Sequence, residues 1–282
     1  MPEFQEIDGA RGNPEKGGVD VATGNQHITV HAVSFGHRGG PAFYASLPGN
    51  DETRKGCRNN KTADKNRLVS VLVDHIAVME NPLRQYRHLC NGAAFPIRVV
   101  HSPLGRPHLL VGEVWGPAIS FSHGGGKIWA ALCGDASAIG IDAASADEFQ
   151  GEYPLHRVFH DHELHHALKL TGGDVEHASA LLWSIKEAVV KAMGCAYHLV
   201  APLQVHVCPS AGRDRGYIFP VCVSGKTLVR SPLSAGRSIW VRSFLRDKMW
   251  LSIALLRVQS RCGYDEDFQT NALQRQKVDS KG

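Results

Sequence analysis

The order of the apolar segments is the feature that most restricts how this chain can fold. Apolar residues recur at helical spacing over residues 63–79, which predicts a helix that Asp64 caps. Short β-like runs follow at residues 119–122, 128–133 and 138–142, and they predict a hairpin and a third strand. In the first half of the chain, therefore, a helix is followed by strands.

The second half repeats this order. A helical run begins near Asp161, and another covers residues 178–193 and ends at Gly194, a residue type favoured just after a helix. Three strands are predicted beyond these helices, at residues 203–207, 238–245 and 249–257, with a tight connection at residues 246–248. The sequence thus predicts an α+β fold made of two similar halves.

The composition is typical of a soluble globular protein, with 43% hydrophobic and 21% charged residues. At 282 residues, the chain is long enough for two halves that each bury a core. Residues 1–26 and 261–282 are polar, and we expect both segments to be disordered. An N-terminal half is then predicted at residues 27–135 and a C-terminal half at residues 136–260.

Charge and cysteine content limit the functional classes. The net charge of +4 is spread along the sequence without a basic stripe, so nucleic acid is not an expected partner. The seven cysteines are scattered and odd in number, which is typical of free thiols in a reducing compartment. The N-terminus lacks the pattern of a signal peptide, and no apolar run approaches bilayer-spanning length. We therefore expect a cytoplasmic protein without membrane contact.

Two acidic residues are candidates for metal binding. Trp183, Glu187 and Lys191 lie at i, i+4 and i+8 and share one helix face, although a surface ion pair is the simpler interpretation of that spacing alone. Asp142 ends a predicted buried strand, where an acid is often only a turn residue. Together, Asp142 and Glu187 supply two hard oxygen ligands, which suits Mg²⁺ bound beside a substrate phosphate.

Two glycine-containing turns are candidates for phosphate binding. In residues 120–127, a strand runs into a glycine-rich turn where exposed amides, Ser122 and His123 could meet an anion. Its spacing differs from that of a Walker loop. A second tight turn, at residues 105–107, carries Arg106. The first turn is equally consistent with a glycine-rich hairpin that has an incidental histidine, and the second turn is a weak signal when taken alone.

In combination, these motifs resemble the signature of the 4'-phosphopantetheinyl transferase superfamily. Gly140-Ile141-Asp142, followed by residues 183–191, resembles its paired main motif. Residues 105–107, the Ser122-His123 pair and residues 159–163 are similar to its further markers. In length the chain resembles the monomeric surfactin-synthetase-activating type. Residues 52–75 match the family only loosely.

The resemblance implies an activity and a set of site residues. Such enzymes transfer the 4'-phosphopantetheine arm of coenzyme A to a serine of an apo carrier protein and release adenosine 3',5'-bisphosphate. It implies that Asp142 and Glu187 hold Mg²⁺, and that the catalytic residues are Glu187, as a base, and Lys191, against the phosphates. The residues implied to bind coenzyme A are Lys55, Arg67, Arg106, Pro107, Ser122, His123 and Lys191.

The resemblance also implies an architecture. It is a pseudo-dimer of two halves, each with three helices and three strands, and coenzyme A lies in the cleft between them. The implied oligomeric state is a monomer.

Two alternatives remain open. Surfactin-type enzymes usually read Gly-Ile-Asp-x-Glu, whereas Ala144 stands at the second acidic position of this chain. The change predicts a weaker metal site, and it keeps open a degenerate relative that binds coenzyme A or a carrier protein without turnover. A zinc protein is the other alternative, because His162 and His166 share a helix face in a segment that also contains His160 and His165.

Overall fold

The computed structural model describes residues 19–23, 26–35, 42–48, 58–78, 97–102, 105–112, 114–133, 138–151, 153–195, 197, 199–210, 216–224 and 239–256. In chain order, the elements within these residues are β1 (Val19–Thr23), β2 (Gln26–Val33), β3 (Ala42–Pro48), α1 (Arg58–Val78), β4 (Ile97–His101), β5 (Pro107–Val111), β6 (Val114–Trp115), β7 (Ala118–Gly124), β8 (Lys127–Cys133), β9 (Ala138–Ser145), α2 (Asp161–Leu170), α3 (Val175–Ala192), β10 (Val205–Val207), β11 (Tyr217–Val223), β12 (Ile239–Arg246) and β13 (Met249–Leu256). The fold is mixed α/β.

Two antiparallel five-stranded sheets form the centre of the molecule. The first has the order β1-β2-β3-β8-β7 and the second the order β10-β11-β12-β13-β9. A smaller sheet contains β4, β5 and β6. No described helix is both long enough and apolar enough to cross a lipid bilayer.

Both faces of each five-stranded sheet contribute residues to an apolar core. Alternate residues of β9 point to opposite sides, so Ile139 and Ile141 join an apolar layer that also contains residues of the first sheet, such as Trp129. On the far side of the second sheet, the core includes residues of α2 and α3. On the far side of the first sheet, the core includes Leu68 and Leu72 of α1. Helices thus cover the outer faces of both sheets.

Two serines of β7 connect the sheets at what we call the sheet junction. The Ile141 amide donates a hydrogen bond to Ser120 Oγ at 3.1 Å, and the Ala143 amide donates one to Ser122 Oγ at 3.3 Å. β7 and β9 are the edge strands of their sheets. Side-chain hydroxyls therefore satisfy backbone donors that a neighbouring strand would otherwise have to bind.

Close packing places β9 directly on α3. A Cβ atom on Gly140 would lie 1.9 Å from the Ala188 carbonyl oxygen, a distance that no side chain tolerates. α3 ends at Ala192, and Gly194 follows with φ +70°, where the Cys195 amide donates to the Val190 carbonyl at 3.2 Å. This is the hydrogen bond of a glycine-terminated helix end, which confirms the predicted stop.

A buried ion pair joins α2 to α3. Lys186 Nζ lies 2.8 Å from Glu163 Oε2, and both side chains are fully buried. The ammonium also donates to the carbonyls of Val158 and Pro202, each at 3.0 Å. The Glu163 carboxylate also accepts hydrogen bonds from the backbone amides of His160, at 2.9 Å, and Val207, at 2.7 Å. Lys186 therefore has a partner for each of its three protons.

The predicted elements are largely present, with different counts and bounds. The hairpin at residues 119–133 and the strands near residues 138–142, 203–207, 238–245 and 249–257 are confirmed. α1 begins at Arg58, so Asp64 lies inside the helix rather than at its cap. Val19–Thr23 forms a strand, contrary to the disorder expected there, and residues 261–282 lie outside the described residues.

The expected number of strands is wrong. The resemblance implies three strands in each half, whereas each main sheet has five. Within the described ranges, the segment before residue 135 contains one α-helix and the segment after it contains two. The apolar runs in the sequence predict strands of both sheets, but they do not predict the additional strands that extend each sheet.

We predict that Lys186→Met strongly destabilises the protein, because it leaves the Glu163 carboxylate buried without its cation. Breaking a buried ion pair costs about 3–5 kcal/mol of unfolding free energy. The control is Lys127→Met, which removes a partly exposed pair with Asp247 and should cost less than about 1 kcal/mol. Urea unfolding measures both variants, and equal losses would contradict a special role for the buried pair.

Candidate active site

A cavity of about 500 Å³ opens where β7, β9 and α3 meet. This volume is within the usual range for a small-molecule site. Seven of the nine residues predicted for the site line it, namely Arg106, Pro107, Ser122, His123, Asp142, Glu187 and Lys191. The fold therefore brings together motifs that are far apart in the sequence.

The Asp142 carboxylate is the centre of a hydrogen-bond network in this cavity. Its Oδ1 atom accepts a bond from Ser122 Oγ at 2.8 Å and another from Lys191 Nζ at 2.7 Å. Lys191 Nζ also donates to the Ile141 carbonyl at 3.2 Å. Asp142 is 7% exposed, so the network forms in a largely desolvated position. Both bonds to the carboxylate use the same oxygen, and Oδ2 takes part in neither.

Glu187 is the second acid of the cavity and lies one helical turn before Lys191. Burial raises the pKa of its carboxyl, and the nearby Asp142 charge raises it further, while Lys191 opposes the shift. Among the described residues, none donates a hydrogen bond to this carboxylate. Glu187 is therefore an acid held close to a second negative charge, which favours either a proton or a cation at this position.

The turn after α3 forms one wall with Arg106. Gly194 and Cys195 line the cavity, and a Cβ atom on Gly194 would meet the Arg106 side chain at 2.7 Å. Glycine thus permits the guanidinium to lie against the helix end. Burial lowers the pKa of the Arg106 guanidinium, but an arginine remains cationic at physiological pH. Arg106 supplies positive charge to this wall.

α1 contributes Lys65 rather than the residue predicted for it. Lys65 lines the cavity, with its ammonium 5.2 Å from the centre of the Phe121 ring. Arg67 is a half-buried residue of the same helix and is not among the lining residues. Lys55, also predicted to bind coenzyme A, lies outside the described residues.

Ser122 and His123 divide their roles because successive residues of a strand point to opposite sides. Ser122 is buried and faces Asp142, whereas His123 is exposed at the cavity mouth. Ser122 therefore binds the Asp142 carboxylate inside the protein. His123 is accessible to a ligand that enters from solvent.

Ala144 lies on the same side of β9 as Asp142, as the strand periodicity predicts. It is 1% exposed, belongs to the core beneath α3 and does not line the cavity. The second acidic position of a Gly-Ile-Asp-x-Glu motif is thus occupied by a packed methyl group in this chain.

Among the described residues, the histidine segment is not arranged as a zinc site. The His160 ring is stacked between His162 and His206, with ring centres 5.4 and 4.8 Å away. The ring nitrogen Nε2 of His166 accepts a hydrogen bond from the Ser210 amide at 3.1 Å. Within the part of the chain that the structure describes, no group of three or more His, Cys, Asp or Glu residues is arranged to hold a metal ion.

Sequence reasoning missed several lining residues, of which Lys65, His101, Ser120, Phe121 and Cys195 are the chemically distinctive ones. Ser120 carried a usable signal, because it lies two residues before Ser122 on the same strand face. Cys195 directly follows Gly194, the predicted helix end, so its position beside the site could also have been predicted. Neither Lys65 nor His101 belongs to a recognisable motif, so only the fold places them.

A known protein family matches part of the second half of the chain. Residues 138–219 match the family model of the 4'-phosphopantetheinyl transferase superfamily. None of the curated proteins matches the chain. Among solved structures, the chain is similar to the ACPS–CoA complex of Chronobacterium ammoniagenes, with 21% identity and a TM-score of 0.36. That similarity covers 44% of this chain and 99% of the other.

We predict that Glu187→Gln does not destabilise the metal-free protein at neutral pH and raises its melting temperature. The raised pKa of Glu187 means that ionisation is penalised in the folded state. That penalty is fully present above the folded-state pKa and is lost as pH falls below the ordinary value of 4.5. The stability difference between variant and wild type should therefore shrink in acid. A gap in melting temperature that is independent of pH would contradict this origin.

Proposed function

We propose that this chain transfers the 4'-phosphopantetheine arm of coenzyme A to a serine hydroxyl of an apo carrier protein. The product beside the loaded carrier is adenosine 3',5'-bisphosphate. The family match on residues 138–219 supports phosphopantetheinyl transfer in general. The acceptor and the second product are those implied by the family that the sequence motifs resemble.

One observation carries this proposal. Asp142, Glu187 and Lys191 belong to the matched segment, whereas Arg106, Pro107, Ser122 and His123 lie outside it. The fold nevertheless brings both groups to the same cavity. Motifs found independently along the sequence thus meet in one site whose charges suit a phosphorylated ligand, with two carboxylates and cations at Arg106, Lys191 and Lys65.

The cavity also fits Mg²⁺. Its two carboxylates, Asp142 and Glu187, are the hard oxygen donors that this ion binds alongside substrate phosphates. They are close enough for Asp142 to raise the pKa of Glu187, so a cation between them would relieve their repulsion. Mg²⁺ held by Asp142 and Glu187 would supply positive charge to neutralise the pyrophosphate in the transfer.

The residues of the chain then have distinct roles. The carrier serine hydroxyl attacks the β-phosphorus, the bond from that phosphorus to the bridging oxygen breaks, and the bridging oxygen leaves with adenosine 3',5'-bisphosphate. Glu187 accepts the proton of the attacking hydroxyl, and its raised pKa brings it nearer the range in which a general base is effective. Lys191, held by Asp142, directs its charge toward the phosphates.

The 3'-phosphate of coenzyme A is assigned to the cavity mouth. His123 is exposed there, and we place it against this phosphate with Lys65 rather than Arg67 as the contribution of α1. The Arg106-Pro107 turn borders the adenine. Lys55 stays a prediction for the same phosphate.

We also propose that the chain is a pseudo-dimer of two related halves. Two five-stranded antiparallel sheets with helices on their outer faces support a pseudo-dimer of related halves. The β7–β9 contact, which borders the cavity, supports a site in the cleft between them. We assign the chain to the long, monomeric surfactin-synthetase-activating type and to the cytoplasm.

A second candidate function is binding without turnover. It is favoured by Ala144, which replaces an acid of the usual motif with a buried methyl group. Only two carboxylates then remain to hold the metal. This alternative gives the same ligands but no product.

Loading of apo carrier proteins tests the two candidates. We expect wild-type protein with coenzyme A and Mg²⁺ to add the phosphopantetheine arm to at least one of several apo carriers, detected by mass spectrometry. Glu187→Gln keeps the shape of the side chain but removes the base and a ligand charge, so transfer should fall by roughly 10³-fold or more. A loss below tenfold contradicts the role of Glu187. Binding of coenzyme A without transfer to any carrier at any Mg²⁺ concentration favours the second candidate.

We further predict that His123→Ala weakens binding of coenzyme A more than binding of 3'-dephospho-coenzyme A. A hydrogen bond to a charged group contributes roughly 1.5–3 kcal/mol, and only coenzyme A carries the group concerned. Calorimetry with both ligands measures the difference. His156→Ala is the control, because His156 is exposed outside the cavity lining and should leave both affinities unchanged. Equal weakening of the two ligands by His123→Ala would rule out this placement.

A further inference from the structure

The hydroxyl of Ser122 has two hydrogen-bond partners, and both lie on β9. Ser122 Oγ donates to Asp142 Oδ1 at 2.8 Å and accepts a hydrogen bond from the Ala143 amide at 3.3 Å. Ser122 is 3% exposed, so bulk water does not compete for either bond. Because both bonds use the same oxygen, they hold the side chain in one orientation. A short, fixed side chain of β7 thus contacts the aspartate of the cavity.

This arrangement conflicts with a direct contact between Ser122 and coenzyme A, which is the role that the family resemblance implies. A serine hydroxyl has a single proton to donate. Ser122 gives that proton to Asp142, whereas an oxygen of a bound phosphate needs a donor of its own. The next residue, His123, is exposed at the cavity mouth and is accessible to a ligand. The hydroxyl of Ser122 therefore serves a carboxylate of the protein itself.

Lys191 is the other partner of the Asp142 carboxylate, and it differs from Ser122 in stiffness and exposure. The lysine side chain has a flexible four-carbon stem and is 29% exposed. Lys191 is also the cation assigned to the phosphates, so a bound ligand competes with Asp142 for its ammonium. Ser122 is short, buried and outside this competition. Ser122 is thus the partner that keeps the carboxylate in place when a ligand is bound.

We propose that Ser122 is the positioning residue for Asp142. Its hydrogen bond to Oδ1 restricts rotation of the carboxylate, and among the described residues none donates a hydrogen bond to Oδ2. The inference deepens the proposed function and rests on it, because Asp142 is one of the two acids assigned to Mg²⁺. Ser122 contacts neither the metal nor coenzyme A, and it acts through Asp142.

Ser120 provides a matched control for the loss of the Ser122 hydroxyl. It lies two residues earlier on the same face of β7 and is also 3% exposed. Its Oγ atom accepts a hydrogen bond from the Ile141 amide at 3.1 Å, but it donates none to Asp142. Ser120→Ala and Ser122→Ala each remove one bond of the sheet junction, and only Ser122→Ala also removes a bond to the carboxylate.

Binding of Mn²⁺, which prefers oxygen ligands as Mg²⁺ does, tests the proposal without turnover. Electron paramagnetic resonance measures free Mn²⁺ in the presence of coenzyme A and the absence of a carrier protein. We expect Ser122→Ala to weaken Mn²⁺ binding by about 10- to 100-fold, the usual cost of removing a group that orients a metal ligand. Ser120→Ala should lower the melting temperature but leave the Mn²⁺ affinity unchanged. Unchanged affinity in Ser122→Ala, or equal weakening in both variants, overturns the proposal.

Binding of coenzyme A in metal-free buffer separates positioning from a ligand contact. We expect Ser122→Ala to bind coenzyme A as tightly as the wild type does under these conditions, whereas His123→Ala binds it more weakly. Weaker metal-free binding by Ser122→Ala overturns the proposal, because it indicates that the hydroxyl contacts the ligand.

Steady-state transfer to a carrier protein gives a further readout. Ser122→Ala should raise the half-saturating Mg²⁺ concentration while leaving the KM for coenzyme A at saturating Mg²⁺ unchanged, since the hydroxyl acts through a metal ligand. An unchanged Mg²⁺ requirement contradicts the positioning role.

Ser122→Cys keeps the proposal testable if Ser122→Ala does not fold. It retains a side chain of similar shape but replaces the hydroxyl with a thiol, which is only a weak hydrogen-bond donor. We expect Mn²⁺ to bind this variant more weakly than the wild type, and wild-type affinity would contradict the proposal.

The outcomes distinguish this inference from the proposed function. Wild-type protein that binds Mn²⁺ but transfers nothing contradicts the proposed transfer, while the comparison of Ser122→Ala with Ser120→Ala still decides the positioning role. Wild-type protein that transfers the arm, with unchanged Mn²⁺ affinity in Ser122→Ala, leaves the function in place and overturns the positioning role. Wild-type protein that binds no Mn²⁺ contradicts both.

Discussion

The close approach of β9 to α3 is the constraint on which the cavity depends. Gly140 lets the strand backbone lie against the Ala188 carbonyl, with no room for even a methyl group. Two residues further along β9, the same strand face carries Asp142 toward Glu187 and Lys191. A larger residue at position 140 would separate strand and helix, and the network around Asp142 would lose its geometry. The glycine of this motif therefore has a packing role and the aspartate a chemical one.

The buried Lys186–Glu163 pair fixes α3 from the opposite side. Lys186 adjoins Glu187 in sequence but points away from the cavity into the core. Its three partners come from the α2 region and from the segment before β10, so one ammonium links several parts of the second half. Adjacent charged residues of one motif thus serve different purposes. Lys186 holds the helix in place, and Glu187 presents a carboxylate to the ligand.

Much of the fold and site could be predicted from the sequence, and the failures have physical causes. The helix end at Gly194 and the hairpin around residues 124–127 depend on local preferences, so they are readable. β3 is not, because it is buried on both faces and its apolar residues do not alternate. β11 contains Pro220, which disfavours a strand assignment, although the Pro220 carbonyl still accepts a bond from Cys208.

The site shows the same division between local and long-range information. Helix periodicity places Glu187 and Lys191 on one face, but their assignment to a site with Asp142 came from the family resemblance. The choice between Lys65 and Arg67 does not follow from periodicity, because residues two apart on a helix differ by about 200° in direction and only tertiary packing sets which one faces the cavity.

The sheet junction has a consequence for solubility. An exposed edge strand can template pairing with a strand of another molecule, which is a common route to aggregation. The amides of Ile141 and Ala143 are already bonded to the hydroxyls of Ser120 and Ser122. A foreign strand would have to displace both bonds before it could add to β9. The hydroxyls that border the cavity thereby also protect this edge against pairing between molecules.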